Sequence, residues 1–77
     1  MIQLTKEQQD TYLHNEAINY HTENVVFLAK IVWDKDLINE AEDIQFTHEK
    51  IGSLPYDIQQ KRDKLFNEIW KVINLDF

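Results

Sequence analysis

Three histidines, fourteen carboxylates and one serine are the groups with which this 77-residue chain would do chemistry. Their spacing argues against most of it. His14 and His21 are seven residues apart. On one helix that is two turns, too far for a shared metal ion. The zinc-protease pattern of two histidines at i and i+4 is absent. The Glu-x-x-His pair of di-iron bundles is absent too, because Asn19 follows Glu16 at that spacing and Gln45 follows Glu42. The stretch DKDLINEAEDIQ opens like a calcium loop with Asp34 and Asp36. It then carries Asn39 where the loop needs glycine and Gln45 where it needs glutamate. Ser53 is the sole candidate hydroxyl nucleophile of its type, and a helix-capping role suits it better. A single glycine leaves no phosphate-cradling loop. A pair of close carboxylates means little without a cleft. The expectation is a non-enzymatic protein with no metal and no cofactor.

Charge is the more telling pattern. The formal net charge is −6. Between residues 34 and 49 lie six acids (Asp34, Asp36, Glu40, Glu42, Asp43, Glu49) and one base, Lys35. That segment holds nearly all the excess. Phosphate backbones need a basic face, so nucleic acid is disfavoured as a partner. Lys61, Arg62 and Lys64 form a small basic patch, which a helix-turn-helix reading would place on a recognition helix. Asp57, Asp63 and Glu68 interrupt it. The acidic residues Asp34, Asp36, Glu40, Glu42 and Asp43 are the candidate binding face for a protein with a basic surface. The bland reading of the same residues is a solvated helix start, where acids favour the positive end of the dipole.

The elements that must position these groups read as helices. The sequence TKEQ places Gln8 three residues after Thr5, the capping-box spacing. Leu13, Ala17, Tyr20, Phe27 and Ile31 then recur at helical spacing with Asn24 in the same series, beside a seam of Ile18, Val25, Leu28 and Val32. A second helix would be capped by Asp34 or Asp36 and bury Leu37, Ala41, Ile44, His48 and Ile51. Gly52 suits a helix stop and Pro55 the first turn of the next helix. The third helix would reach Ile73 with Ile58, Leu65, Phe66, Ile69 and Trp70 inward. Asp57 and Lys61 have the order of a surface ion pair on it. The segment NVVFLAKIVW is rich enough in β-branched residues to suggest a buried strand. It has no alternating partner and no hairpin turn, so helix is the better reading.

The expected fold is all-α: one domain over residues 1–77, a three-helix bundle with a long first helix. Unbroken from Lys6 to Trp33, that helix would be about 42 Å long. A compact domain of this length is roughly 30 Å across. Either the helix breaks, with His21 to Asn24 a candidate place, or its apolar end is covered from outside. The expectation is a homodimer through Val25, Phe27, Leu28, Ile31, Val32 and Trp33. Chains this short have thin cores, and without cysteine no disulfide can staple them. Nine aromatic residues also exceed what such a core holds, Trp33, Phe46, Trp70 and Phe77 among them. No segment reads as a signal peptide or membrane span, which suggests a cytoplasmic location. Size and charge fit a small acidic inhibitor, antitoxin, immunity protein or phage-type regulator; the rival is a nucleic-acid-linked regulator or DNA mimic.

Overall fold

The computed structural model describes residues 2–74, so Phe77 lies outside the described residues. It contains four helices: α1 (Lys6–Ala17), α2 (His21–Val32), α3 (Lys35–Ile51) and α4 (Tyr56–Trp70). Two short strands, β1 (Ile2–Gln3) and β2 (Ile73–Asn74), pair in parallel with Ile2 opposite Ile73. The all-helical expectation holds for the bulk of the fold. The number of helices does not, because the long first helix is two helices of 12 residues each.

The break falls at Ile18–Tyr20, just before the His21–Asn24 segment. Asn19 takes the left-handed conformation (φ 62°). Asparagine tolerates it better than most residues because its short polar side chain can bond locally. The turn then satisfies its own backbone: the N–H groups of Ile18, Asn19 and Tyr20 donate to the carbonyls of His14, Glu16 and Asn15. Asn24 rewards the reversal. Its side-chain amide donates to the Tyr12 carbonyl (3.0 Å) and to Glu16 Oε1 (2.9 Å), and its oxygen accepts from Asn15 (3.1 Å). A residue expected to continue a helical seam is instead the wholly buried hinge pin between α1 and α2.

This break resolves the length problem. The chain packs into extents of 34 × 26 × 16 Å. The apolar α2 is covered from within, because α1, α3 and α4 all pack against it. Val25, Leu28 and Ala29 have no exposure, and they join Ala41 and Ile44 of α3, Leu65 and Ile69 of α4, and Leu4, Leu54 and Ile73 in one core. α1 contributes no buried residue at all. It is held by the Asn24 network, by Tyr12 edge-on to Trp70 (5.3 Å between centroids), and by the Glu16–His21 contact.

The capping signals read from sequence largely stand. Thr5 and Gln8 form the reciprocal capping box. Asp34 caps α3 by accepting from the N–H groups of Asp36 (2.9 Å) and Leu37 (3.3 Å). Gly52 ends α3 at φ 85°. Ile51, expected to be buried on this helix, is instead exposed at its last turn beside Gly52, and two further expectations fail on α4. Ser53 does not cap α4, whose N-cap is Pro55 without a side-chain bond. The last helix stops at Trp70, and Ile73 is buried from the strand pair instead, where β1 gives it a neighbour.

Candidate functional site

α3 and α4 are joined by residues 52–55, a connection short enough to make them antiparallel neighbours. They do not close on each other along their outer edge. An open groove of about 520 Å³ lies between them. Leu37 and Ile44 of α3 and Ile58 and Leu65 of α4 supply its apolar lining. Glu40, Asp43 and Thr47 stand on the α3 side, and Lys61, Lys64 and Glu68 on the α4 side. Residues 36, 40, 43 and 47 follow the four-three spacing of one helix face, so Asp36 extends the acidic edge by a turn.

Most of the groove's charges are unpaired among the described residues. Glu40, Asp43, Lys61 and Lys64 are all exposed and make no ion pair among the described residues. Glu68 pairs with Lys71 instead (3.1 Å). The expected Asp57–Lys61 pair does not form either. The five acidic candidates therefore divide. Glu40 and Asp43 line the groove, Asp36 lies on the same face, Asp34 is occupied as a helix cap, and Glu42 is exposed on another side of α3. The basic patch divides as well. Lys61 and Lys64 border the groove, whereas Arg62 points away into a second pocket. A duplex-reading face would need the three on one side.

The apolar candidates for self-association divide too. Val25 and Leu28 lie wholly inside the core; Phe27, Ile31 and Val32 are partly buried against it. Only Trp33 stands out, 83% exposed. It also adopts the left-handed conformation (φ 63°) at the C-terminus of α2. A bulky side chain there costs on the order of 1 kcal/mol relative to glycine. Phe46, Ile51 and Tyr56 are likewise exposed. Lys50 stands over the Phe46 ring, 5.9 Å from its centroid.

The second pocket, about 360 Å³, gathers groups that no linear pattern announced: Tyr12, Glu16, His21, Arg62, Phe66 and Trp70. Glu16 Oε2 lies 3.0 Å from His21 Nδ1. Burial, aided by the Glu16 charge, pushes the Tyr12 hydroxyl above its ordinary pKa. Arg62 reaches Asp63 at 3.6 Å, and its Nε is buried without an acceptor among the described residues. These groups meet only because the Asn19 turn folds α1 back. Their bonds run mainly to one another and to Asn24, which makes the cluster a joint between α1, α2 and α4. Among the described residues no three His, Asp or Glu side chains are grouped to hold a metal ion.

Comparison with known protein families, with curated proteins and with solved structures found no match. No helix among the described residues is long and apolar enough to cross a membrane.

Proposed function

We propose that this chain is a non-enzymatic protein-binding domain whose docking face is the α3–α4 groove. The carrying observation is the groove itself: an apolar floor of Leu37, Ile44, Ile58 and Leu65 beside an acidic edge whose carboxylates make no ion pair among the described residues. An amphipathic helix laid into a hydrophobic groove is a common mode of peptide recognition. Apolar anchors would supply most of the affinity, while Asp36, Glu40 and Asp43 would select a partner with a basic flank and speed its approach. By analogy of charge and size alone, such a face suits a small acidic inhibitor, antitoxin, immunity protein or phage-type regulator.

The test uses a defined probe, a 16-residue amphipathic helical peptide with leucines at four-three spacing and lysines along one flank. Saturable binding is expected, with amide shifts in the chain centred on Leu37, Ile44, Ile58 and Leu65. The double variant Glu40→Lys, Asp43→Lys should weaken it by about tenfold or more, as expected for losing rim charges that complement a basic ligand. Binding that survives the double variant unchanged, or shifts that map elsewhere, would overturn the assignment.

A further inference from the structure

The α3 wall of the groove carries the acids Glu40 and Asp43, and the α4 wall carries Lys61 and Lys64 beside Glu68, whose charge Lys71 offsets. We infer that its occupant is a second copy of the same chain, and that two α3–α4 hairpins close face to face into a four-helix bundle. The inference rests on the groove being a docking face and deepens that reading by supplying the basic surface: it is Lys61 and Lys64 of the other copy.

Symmetry decides between the possible pairings. A two-fold interface joins the same patch on both copies, so the patch must complement itself. Two axes bring the groove faces together. An axis lying in the interface and perpendicular to the helices sets α3 on α3 and so sets Glu40 and Asp43 against their own copies. An axis parallel to the helices sets α3 of one copy on α4 of the other. The acids Glu40 and Asp43 then face the wall of Lys61 and Lys64 on both edges, with only the Lys71-paired Glu68 of like sign, and every helix has antiparallel neighbours, as in an up-down four-helix bundle. Height along the bundle agrees. Asp43 lies nine residues before Gly52 and Lys64 nine residues after Pro55, so the two occupy the same level of the antiparallel hairpin. The parallel axis preserves that level and places Asp43 opposite Lys64 of the other copy. Lys61 lies about one turn to one side of that contact, and Glu40 about one turn to the other, level with Glu68 of the other copy, whose charge Lys71 offsets. Leu37 and Ile58, which are partly exposed, then meet their counterparts over Ile44 and Leu65, which the core of each copy already buries.

The face is modest. α3 and α4 are roughly 25 and 22 Å long at 1.5 Å rise per residue. Such a patch belongs at the small end of specific interfaces. The dimer should therefore dissociate on dilution and weaken as salt screens the edges.

The experiment measures solution mass by light scattering and sedimentation across roughly 1 µM to 1 mM, a span that brackets micromolar dissociation constants. Wild type is expected to move from the 9.3 kDa monomer towards twice that mass. Glu40→Lys with Asp43→Lys makes both walls basic. Lys61→Glu with Lys64→Glu makes both walls acidic. Each double variant should remain monomeric, and an equimolar mixture should recover the dimer. All four residues are exposed, and circular dichroism checks that the variants keep their helices. A wild type that stays monomeric at the highest concentration overturns the inference. So does a mixture of folded variants that fails to associate. Undiminished association of each variant alone would place the interface elsewhere, on the Trp33 side for instance, and would also overturn it. The axis is read separately, because the chain has no cysteine of its own. Asp43→Cys mixed with Lys64→Cys should cross-link on oxidation, whereas Asp43→Cys alone should not. A monomeric wild type that still binds the basic peptide through the groove would leave the docking face standing and remove only the second copy.

Discussion

At the scale of single residues, the most informative are those whose local cost has no return inside the fold. Trp33 holds a left-handed backbone and exposes most of a large apolar side chain. Glycine at that position would relieve the backbone strain and lose little burial. Trp33→Gly is therefore expected to stabilise the chain by about 1 kcal/mol, read as a higher urea midpoint with unchanged slope. A lower midpoint would show that the indole packs in solution. Asn24 is the opposite case: its polar side chain is fully buried, and each of its polar atoms is satisfied. Burying such a group is tolerable only because those partners are present. Sequence periodicity placed Asn24 correctly on an inward face. It did not reveal that the residue's work is to close a turn, because its partners Tyr12, Asn15 and Glu16 come from another helix.

At the scale of elements, α1 and α2 are equal in length and unlike in what holds them. α2 is surrounded by the other three helices, while α1 buries nothing completely. Helices of about 12 residues are marginal in water without packing. α1 should therefore open locally at a lower free energy than the rest of the fold. Hydrogen exchange is expected to run faster in α1 than in α2 and α3. Asn24→Ala should erase most of the remaining protection of α1, costing about 2–3 kcal/mol through the polar groups it strands. Equal protection of α1 and α2 would show that the Tyr12–Trp70 contact alone suffices to dock α1. The groove is an element-scale feature as well. It exists because α3 and α4 both lean on α2, so that their outer edges remain apart.

At the scale of the whole molecule, Tyr12 is one of the groups that hold the first helix to the bundle, edge-on to Trp70. Its hydroxyl holds its proton more tightly in the folded chain, chiefly because burial disfavours the phenolate and secondarily because Glu16 is near. The unfolded chain releases that proton near pH 10. Above that pH the folded state retains a proton that the unfolded state has lost, so stability falls as pH rises through the folded pKa. Below about pH 9 the group contributes no slope. The stability difference between wild type and Tyr12→Phe should thus be flat through neutral pH and shift against wild type above pH 10. A difference that stays flat to pH 11 would mean that α1 has already released Tyr12.

What the sequence determined by itself is what depends on near neighbours along the chain. Helical periodicity, the Thr5–Gln8 capping box, the Asp34 cap and the Gly52 stop all act within about four residues, so their signals are local. The concentration of acid between residues 34 and 49 is equally plain in the linear chain. Tertiary structure alone decided the rest. It broke the first helix at Asn19, because folding α1 back onto Asn24 and Trp70 covers more of α2 than a straight helix would. It also withdrew Val25 and Leu28 from any surface and decided what Lys61 and Lys64, on one helix face, and Arg62, on another, stand beside. An acidic run and an interrupted basic patch became the two walls of one groove only when the 52–55 connection turned α4 back alongside α3. Such juxtapositions depend on which helices share a neighbour, and no spacing along the chain encodes that.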